Sequence, residues 1–268
     1  MSERHFETAP EDRISVDKKL VYGLGGLVNN ILGGAMGTMM IVLNLGLGMD
    51  PKLVGLLGGL PRFVDALTDP LMGYISDNTR SKWGRRRPYI FIGAIVAGAA
   101  YILVWQLPSG YSQSFYFWYF LAGSLIFYIA YTVFATPWVA LGYELTPDYH
   151  ERTRLMGVQN IFGNIAFIIV PWCLWFMSKE DWFTDQVEGA RVLAIVVGVF
   201  AITVGVLPAI FLRERPVPNA TKEKPRTSSA AEQMRNFFSG FATTLKSPSL
   251  LKLCIATFLI FNGFQLVA

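Results

Sequence analysis

Arg62, Asp65 and Asp69 lie within the stretch PRFVDALTDPLMGYISDNTRSKWGRRRP, residues 61–88, at spacing i, i+3 and i+7. On a helix that spacing gathers two carboxylates and a guanidinium on one face. Counted from Leu53 to Asp77, Asp65 falls near the middle of a helix long enough to cross a bilayer. A charge at that depth costs at least about 2.5 kcal/mol, so such groups usually face a partner, a cavity or an ion. The face is therefore the first candidate for function.

The elements that must hold it are those of a polytopic membrane protein. The 268 residues are 53% hydrophobic and 16% charged, with a mean hydropathy of +0.40. The net charge of +4 does not imply nucleic acid, because the basic residues fall between apolar segments and form no surface stripe. Cys173 and Cys254 each sit in an apolar run without further ligands nearby, and read as apolar fillers. The amino terminus has charges of both signs and no apolar centre before a small-residue cleavage site, so it is not a cleaved signal. There is no Ser/His/Asp set, metal cluster or phosphate loop, and His5 and His150 stand without catalytic partners; an enzyme and a cofactor are not expected.

The pattern predicts an all-α chain. Residues 1–19 form a cytoplasmic arm, 20–212 an amino-terminal six-helix bundle, 213–247 a cytoplasmic linker, and 248–268 a first helix of a second bundle. The helices are expected at about Leu20 to Leu47, then up to Asp77, Pro88 to Leu107, Phe115 to Leu145, Leu155 to Met177 and Val192 to Leu212. In the linker, Ser229 and Glu232 make a possible capping box. Met234, Phe237, Phe238, Phe241 and Leu245 then recur at helical spacing, predicting an amphipathic helix on the membrane face; a disordered linker is the alternative. The end at Ala268, without a polar tail, reads as a severed longer chain. With the amino terminus inside, the inner segments hold eighteen Lys and Arg against three outside, which orients the chain in a cell membrane.

The string from Gly73 through Asp77 and Arg80 to Gly84, Arg85 and Arg86 resembles the loop motif of the major facilitator superfamily. Together with Arg62, Asp65, Asp69 and Pro70 it is similar to the glycoside-pentoside-hexuronide:cation symporters, the melibiose permease branch. LVYGLGG in the first helix, Tyr131-Thr132 with Pro137, and ELTPDYHERTRL add weaker matches. The resemblance implies two six-helix bundles with a coupling ion and a sugar bound between them near mid-membrane. It places Asp65 and Asp69 at the family's two cation-site carboxylates, Thr68 where an asparagine often sits, and Arg62 at the neighbouring arginine. Carboxylates with a hydroxyl suit Na⁺, and a buried acid pair suits H⁺; the residues do not choose between them. The competing reading is an internal salt bridge of Arg62 with Asp65, although one arginine cannot neutralise both acids.

Gly73, Asp77, Arg80, Gly84, Arg85 and Arg86 would serve an inward-closed gate or the topology signal alone. Substrate positions depart from the family: acids expected in the first and fourth helices are Asn30 and Ala135, a fifth-helix arginine is Asn160, and a tryptophan position is Val139 beside Trp138. Asn29, Asn30, Tyr131, Asn160 and Trp138 could still offer neutral hydrogen bonds and a stacking surface to a carbohydrate, or serve only as interhelical contacts. The reading is a cation-coupled sugar symporter. Its rivals are a different cargo on the same machinery, such as a lysolipid or an acidic oligosaccharide, and a half-length protein that transports nothing alone.

Overall fold

The structure, a computed structural model, describes residues 8–108, 110–215, 239–240, 243–244 and 246–267, with side chains described up to 260. Among these residues there are helices and no strands. The helices are α1 (Val16–Met39), α2 (Ile41–Leu45), α3 (Pro51–Asn78), α4 (Arg87–Trp105), α5 (Gln113–Glu144), α6 (Tyr149–Ile169), α7 (Trp172–Met177), α8 (Gln186–Gly205), α9 (Leu207–Phe211) and α10 (Pro248–Val267). The chain divides into two compact units, Met1–Arg215 and Pro216–Ala268. The amphipathic helix expected from Ser229 to Leu245 falls largely outside the described residues.

Local chemistry explains where the helices start. Asp50, Ser112, Asp148 and Asp185 stand at the N-caps of α3, α5, α6 and α8, and each accepts a backbone N–H of the first turn with its side chain. Several helices therefore begin earlier than the apolar pattern suggests: α1 at Val16, α6 at Tyr149 and α8 at Gln186. Three expected continuous helices are interrupted, at Met40, at Val170-Pro171 and at Val206 before Pro208. A proline cannot donate to the helix ladder, which accounts for the second break and favours the third.

Among the described residues, five helical stretches are long and apolar enough to cross a membrane: Pro10–Leu45, Arg87–Trp105, Gln113–Glu144, Tyr149–Met177 and Gln186–Phe211. The protein is thus a multi-pass membrane protein. A sixth, α3, has the length at 28 residues but not the apolarity, because its middle carries Arg62, Asp65 and Asp69. It survives there by packing on α5.

The other principal contacts are α4 with α5, α1 with α6, and α4 with α8. At the α4/α8 crossing a Cβ on Gly98 would lie 2.7 Å from the carbonyl oxygen of Gly198, and the reverse distance is also 2.7 Å. Only glycine permits backbones so close. Tyr22, Leu32, Met36, Tyr101, Trp105, Phe120, Phe127, Phe134 and Trp138 are all fully enclosed, forming the core between α1, α4 and α5 and leaving the charged face of α3 at its edge.

Candidate functional site

Asp65 and Asp69 lie one turn apart on α3, facing α5. Thr132 donates its hydroxyl to Asp69 Oδ1 at 2.9 Å, and Thr136, a turn further along α5, donates to the same oxygen at 3.2 Å. The Thr68 hydroxyl is 3.5 Å from that of Thr132. Asp65 is held differently. Its Oδ2 lies 3.6 Å from the Arg62 guanidinium, while its Oδ1 is buried with no hydrogen-bond partner. Pro70 has no N–H to give the Ala66 carbonyl, so the helix ladder is also open beside the two acids.

Arg62 leans away from full engagement. Its side chain is 59% exposed and sits 5.0 Å over the Tyr128 ring. The salt bridge weighed as a competing reading is therefore present, but long, and it leaves one Asp65 oxygen and all of Asp69 to other partners. Among the described residues no three His, Cys, Asp or Glu side chains cluster as a metal site. Two carboxylates with two or three hydroxyls are hard oxygen donors, a set that fits a monovalent cation better than a transition metal.

The residues considered for cargo do not assemble as one group. Tyr131 donates its hydroxyl to the Asn29 carbonyl at 3.2 Å, joining α5 to α1. Asn29 keeps a buried side-chain oxygen without a partner, whereas Asn30 turns back on its own helix to the Gly26 carbonyl at 2.8 Å. Asn160 is exposed on α6. Trp138 offers no stacking surface to a cargo: it is 0% exposed, stacked on Tyr22 at a centroid distance of 5.0 Å and packed over Gly25. The glycine face of α1 admits this large ring, and that draws it into the core.

A second polar constellation joins the ends of α3, α4, α5 and α9. Arg86, 6% exposed, reaches Asp77 Oδ1 at 2.6 Å and Glu144 Oε1 at 2.8 Å, and Arg85 pairs with Glu144 as well. Gly84 has φ of +109°, and the turn it makes aims the amides of Arg85, Arg86 and Arg87 at Glu214, at 2.9, 2.7 and 3.2 Å. Arg87 donates to the carbonyls of Ala209 and Ile210 at the end of α9. Gly73 lies where α3 meets α5, with a Cβ there 3.8 Å from Thr136 Cγ2. Arg80, in the same loop, is exposed.

On the same side, buried Glu151 accepts from the Ile14 amide at 2.9 Å, Lys19 at 2.6 Å and Arg154 at 3.1 Å. Asp12 pairs with Arg215 at 2.6 Å, and its carbonyl accepts from Thr146. Residues 8–15 are thereby strapped to the α5–α6 turn.

Sequence reasoning missed Thr132 and Thr136 as partners of Asp69, Glu144 and Glu214 as the acids that answer the basic loop, and Glu151 as the acid that holds Lys19 and Arg154. The i, i+4 spacing of the two threonines was a usable signal, and so was an acid at the end of each of α5 and α9.

The sequence is similar to those of proteins named as symporters and permeases. An uncharacterized symporter of Synechocystis sp. is 29% identical over 213 residues, covering 76% of this chain and 38% of the relative. Lactose permease of Lactobacillus helveticus is 30% identical, covering 55% of the chain and 26% of the relative. Sodium-dependent lysophosphatidylcholine symporter 1 of Mus musculus is 30% identical, covering 67% and 35%. The match thus spans less than half the length of these relatives. Residues 21–257 fit the model of the MFS/sugar transport protein family, and the chain belongs to that family.

Proposed function

We propose that the chain forms the ion-binding half of a cation-coupled symporter, with Na⁺ or H⁺ held at Asp65 and Asp69 and a small neutral cargo, a sugar or glycoside, carried beside it. The carrying observation is the pair of acids on α3: Asp69 is braced by two α5 hydroxyls, and Asp65 presents a buried, unpartnered oxygen. An acid in that position can accept a proton or complete a cation's coordination with Thr68 and Thr132. The Arg85, Arg86, Asp77 and Glu144 network would hold the basic-loop end of the bundle shut while the opposite end is open, and the excess of Lys and Arg on that side supports a cytoplasmic placement of that end.

A lysolipid-type cargo is the second reading, supported by the similarity to a symporter named for lysophosphatidylcholine and by the neutral Asn30 and Ala135 at the positions where acids are expected. Two measurements separate the claims. Binding of ²²Na⁺, and proton release on ion binding, are measured on the purified chain; loss of both in Asp65→Asn and Asp69→Asn is expected, and retention in both variants refutes the ion site. Counterflow of labelled sugars and lysolipids into proteoliposomes then identifies the cargo. An intact ion response with no counterflow of either retains the site and removes the transport claim for this chain.

A further inference from the structure

The loop between α3 and α4 carries more positive charge than its acids neutralise, and part of the excess lines a surface cavity of about 450 Å³. Lys82, Trp83, Gly84, Arg87, Arg213 and Glu214 border it. Glu214, the only acid among the described residues that border it, is already engaged by three backbone amides. Arg87 is anchored on the Ala209 and Ile210 carbonyls and lies 5.1 Å over the Trp83 ring, which fixes its charge at the wall. Lys82 and Arg213 are exposed, with neither an ion pair nor a side-chain hydrogen bond among the described residues. Three cations thus share one concavity with a single acid among the described residues, so positive charge is in excess there.

The surroundings are those of a membrane boundary. Ile210 and Phe211, 44% and 59% exposed, continue the apolar surface of α9 directly from the carbonyls that Arg87 holds, and Trp83 is 38% exposed beside it. An aromatic ring with basic side chains at the end of a spanning helix marks the headgroup level. A phosphate placed there would meet a guanidinium fork and an ammonium, and acyl chains would continue along Ile210 and Phe211.

We propose that this cavity is a binding site for a phosphate group, that of an anionic phospholipid in the leaflet beside the basic loop. Lys82 and Arg213 supply the free charge, and Arg87 with Trp83 forms the wall. The site is separate from the acids of α3 and does not depend on any transport activity.

The test uses the purified chain in phosphatidylcholine vesicles, titrated with phosphatidylglycerol or with inorganic phosphate, and reads the thermal midpoint. Phosphatidylglycerol is expected to raise it. The apparent affinity should fall roughly ten- to thirty-fold in Lys82→Gln/Arg213→Gln, as expected for two basic groups near a charged surface. Lys82→Arg/Arg213→Lys should respond nearly as the wild type. So should Lys52→Gln/Lys179→Gln, which loses the same charge elsewhere. Equal protection by inorganic phosphate would retain the phosphate site and overturn its assignment to lipid. An unchanged phosphatidylglycerol response in Lys82→Gln/Arg213→Gln would overturn the site itself.

Discussion

Thr132 of α5 gives its hydroxyl hydrogen to Asp69 of α3 at 2.9 Å, so the more exposed of the two carboxylates is oriented by a neighbouring helix and not by its own. A hydrogen bond to a charged group is worth about 1.5–3 kcal/mol. Thr132→Val, nearly the same shape without the hydroxyl, should weaken ion binding by roughly ten- to a hundred-fold. Thr136→Val, which loses the longer 3.2 Å bond, should lose less. Ion titration of the two variants, with midpoints confirming that both remain folded, measures the difference.

Glu144 holds both Arg85 and Arg86 and connects the end of α5 to the α3–α4 loop. Arg86 is almost enclosed, and its Nε and Nη1 already lack partners, so Glu144→Gln leaves a buried guanidinium with Asp77 as its remaining acid. A loss of about 1–3 kcal/mol is expected from breaking a partly buried charged bond. Thermal unfolding in detergent reads it, and a double-mutant cycle with Asp77→Asn should be non-additive, since both acids act on one side chain.

Gly84 combines φ of +109° with an ideal Cβ position only 2.8 Å from Glu214 Oε1. Gly84→Ala should therefore destabilise the bundle in two ways, by backbone strain and by displacing the carboxylate from three amides. Adding Glu214→Ser should relieve the clash but not the strain. Partial recovery of the thermal midpoint is expected; full recovery would show that the backbone conformation costs nothing.

Glu151 closes the strap formed by residues 8–15, accepting from Ile14, Lys19 and Arg154. Glu151→Gln weakens all three bonds at once. Limited proteolysis near Arg13 should become several-fold faster while cleavage elsewhere stays unchanged.

Asp148 gives a pH dependence of known sign. The Glu151 amide that bonds it, with smaller help from Thr8, holds its carboxyl below the ordinary value of 3.8. The folded form is thus the weaker base, and the stabilisation is complete above the ordinary value and lost as pH falls through the lowered one. Asp148→Asn still caps α6 but should flatten the dependence of the thermal midpoint as pH falls below the ordinary value of 3.8.

Apolar runs separated by basic loops sufficed to read an all-α, multi-pass chain, and the spacing of Arg62, Asp65 and Asp69 sufficed to single out one helix face, because helical periodicity and the cost of charge in lipid act within a segment. Which residues answer those charges was decided only by the packing. Thr132 and Thr136 reach Asp69 because α5 turns that face toward α3; Trp138, on the same helix, turns the other way and is absorbed by the glycines of α1. Glu144 and Glu214 meet the basic loop from 59 and 129 residues away in the chain. A partner at that separation leaves no local pattern, since helix rotation and crossing geometry, which bring it into reach, are set by how all the faces pack at once.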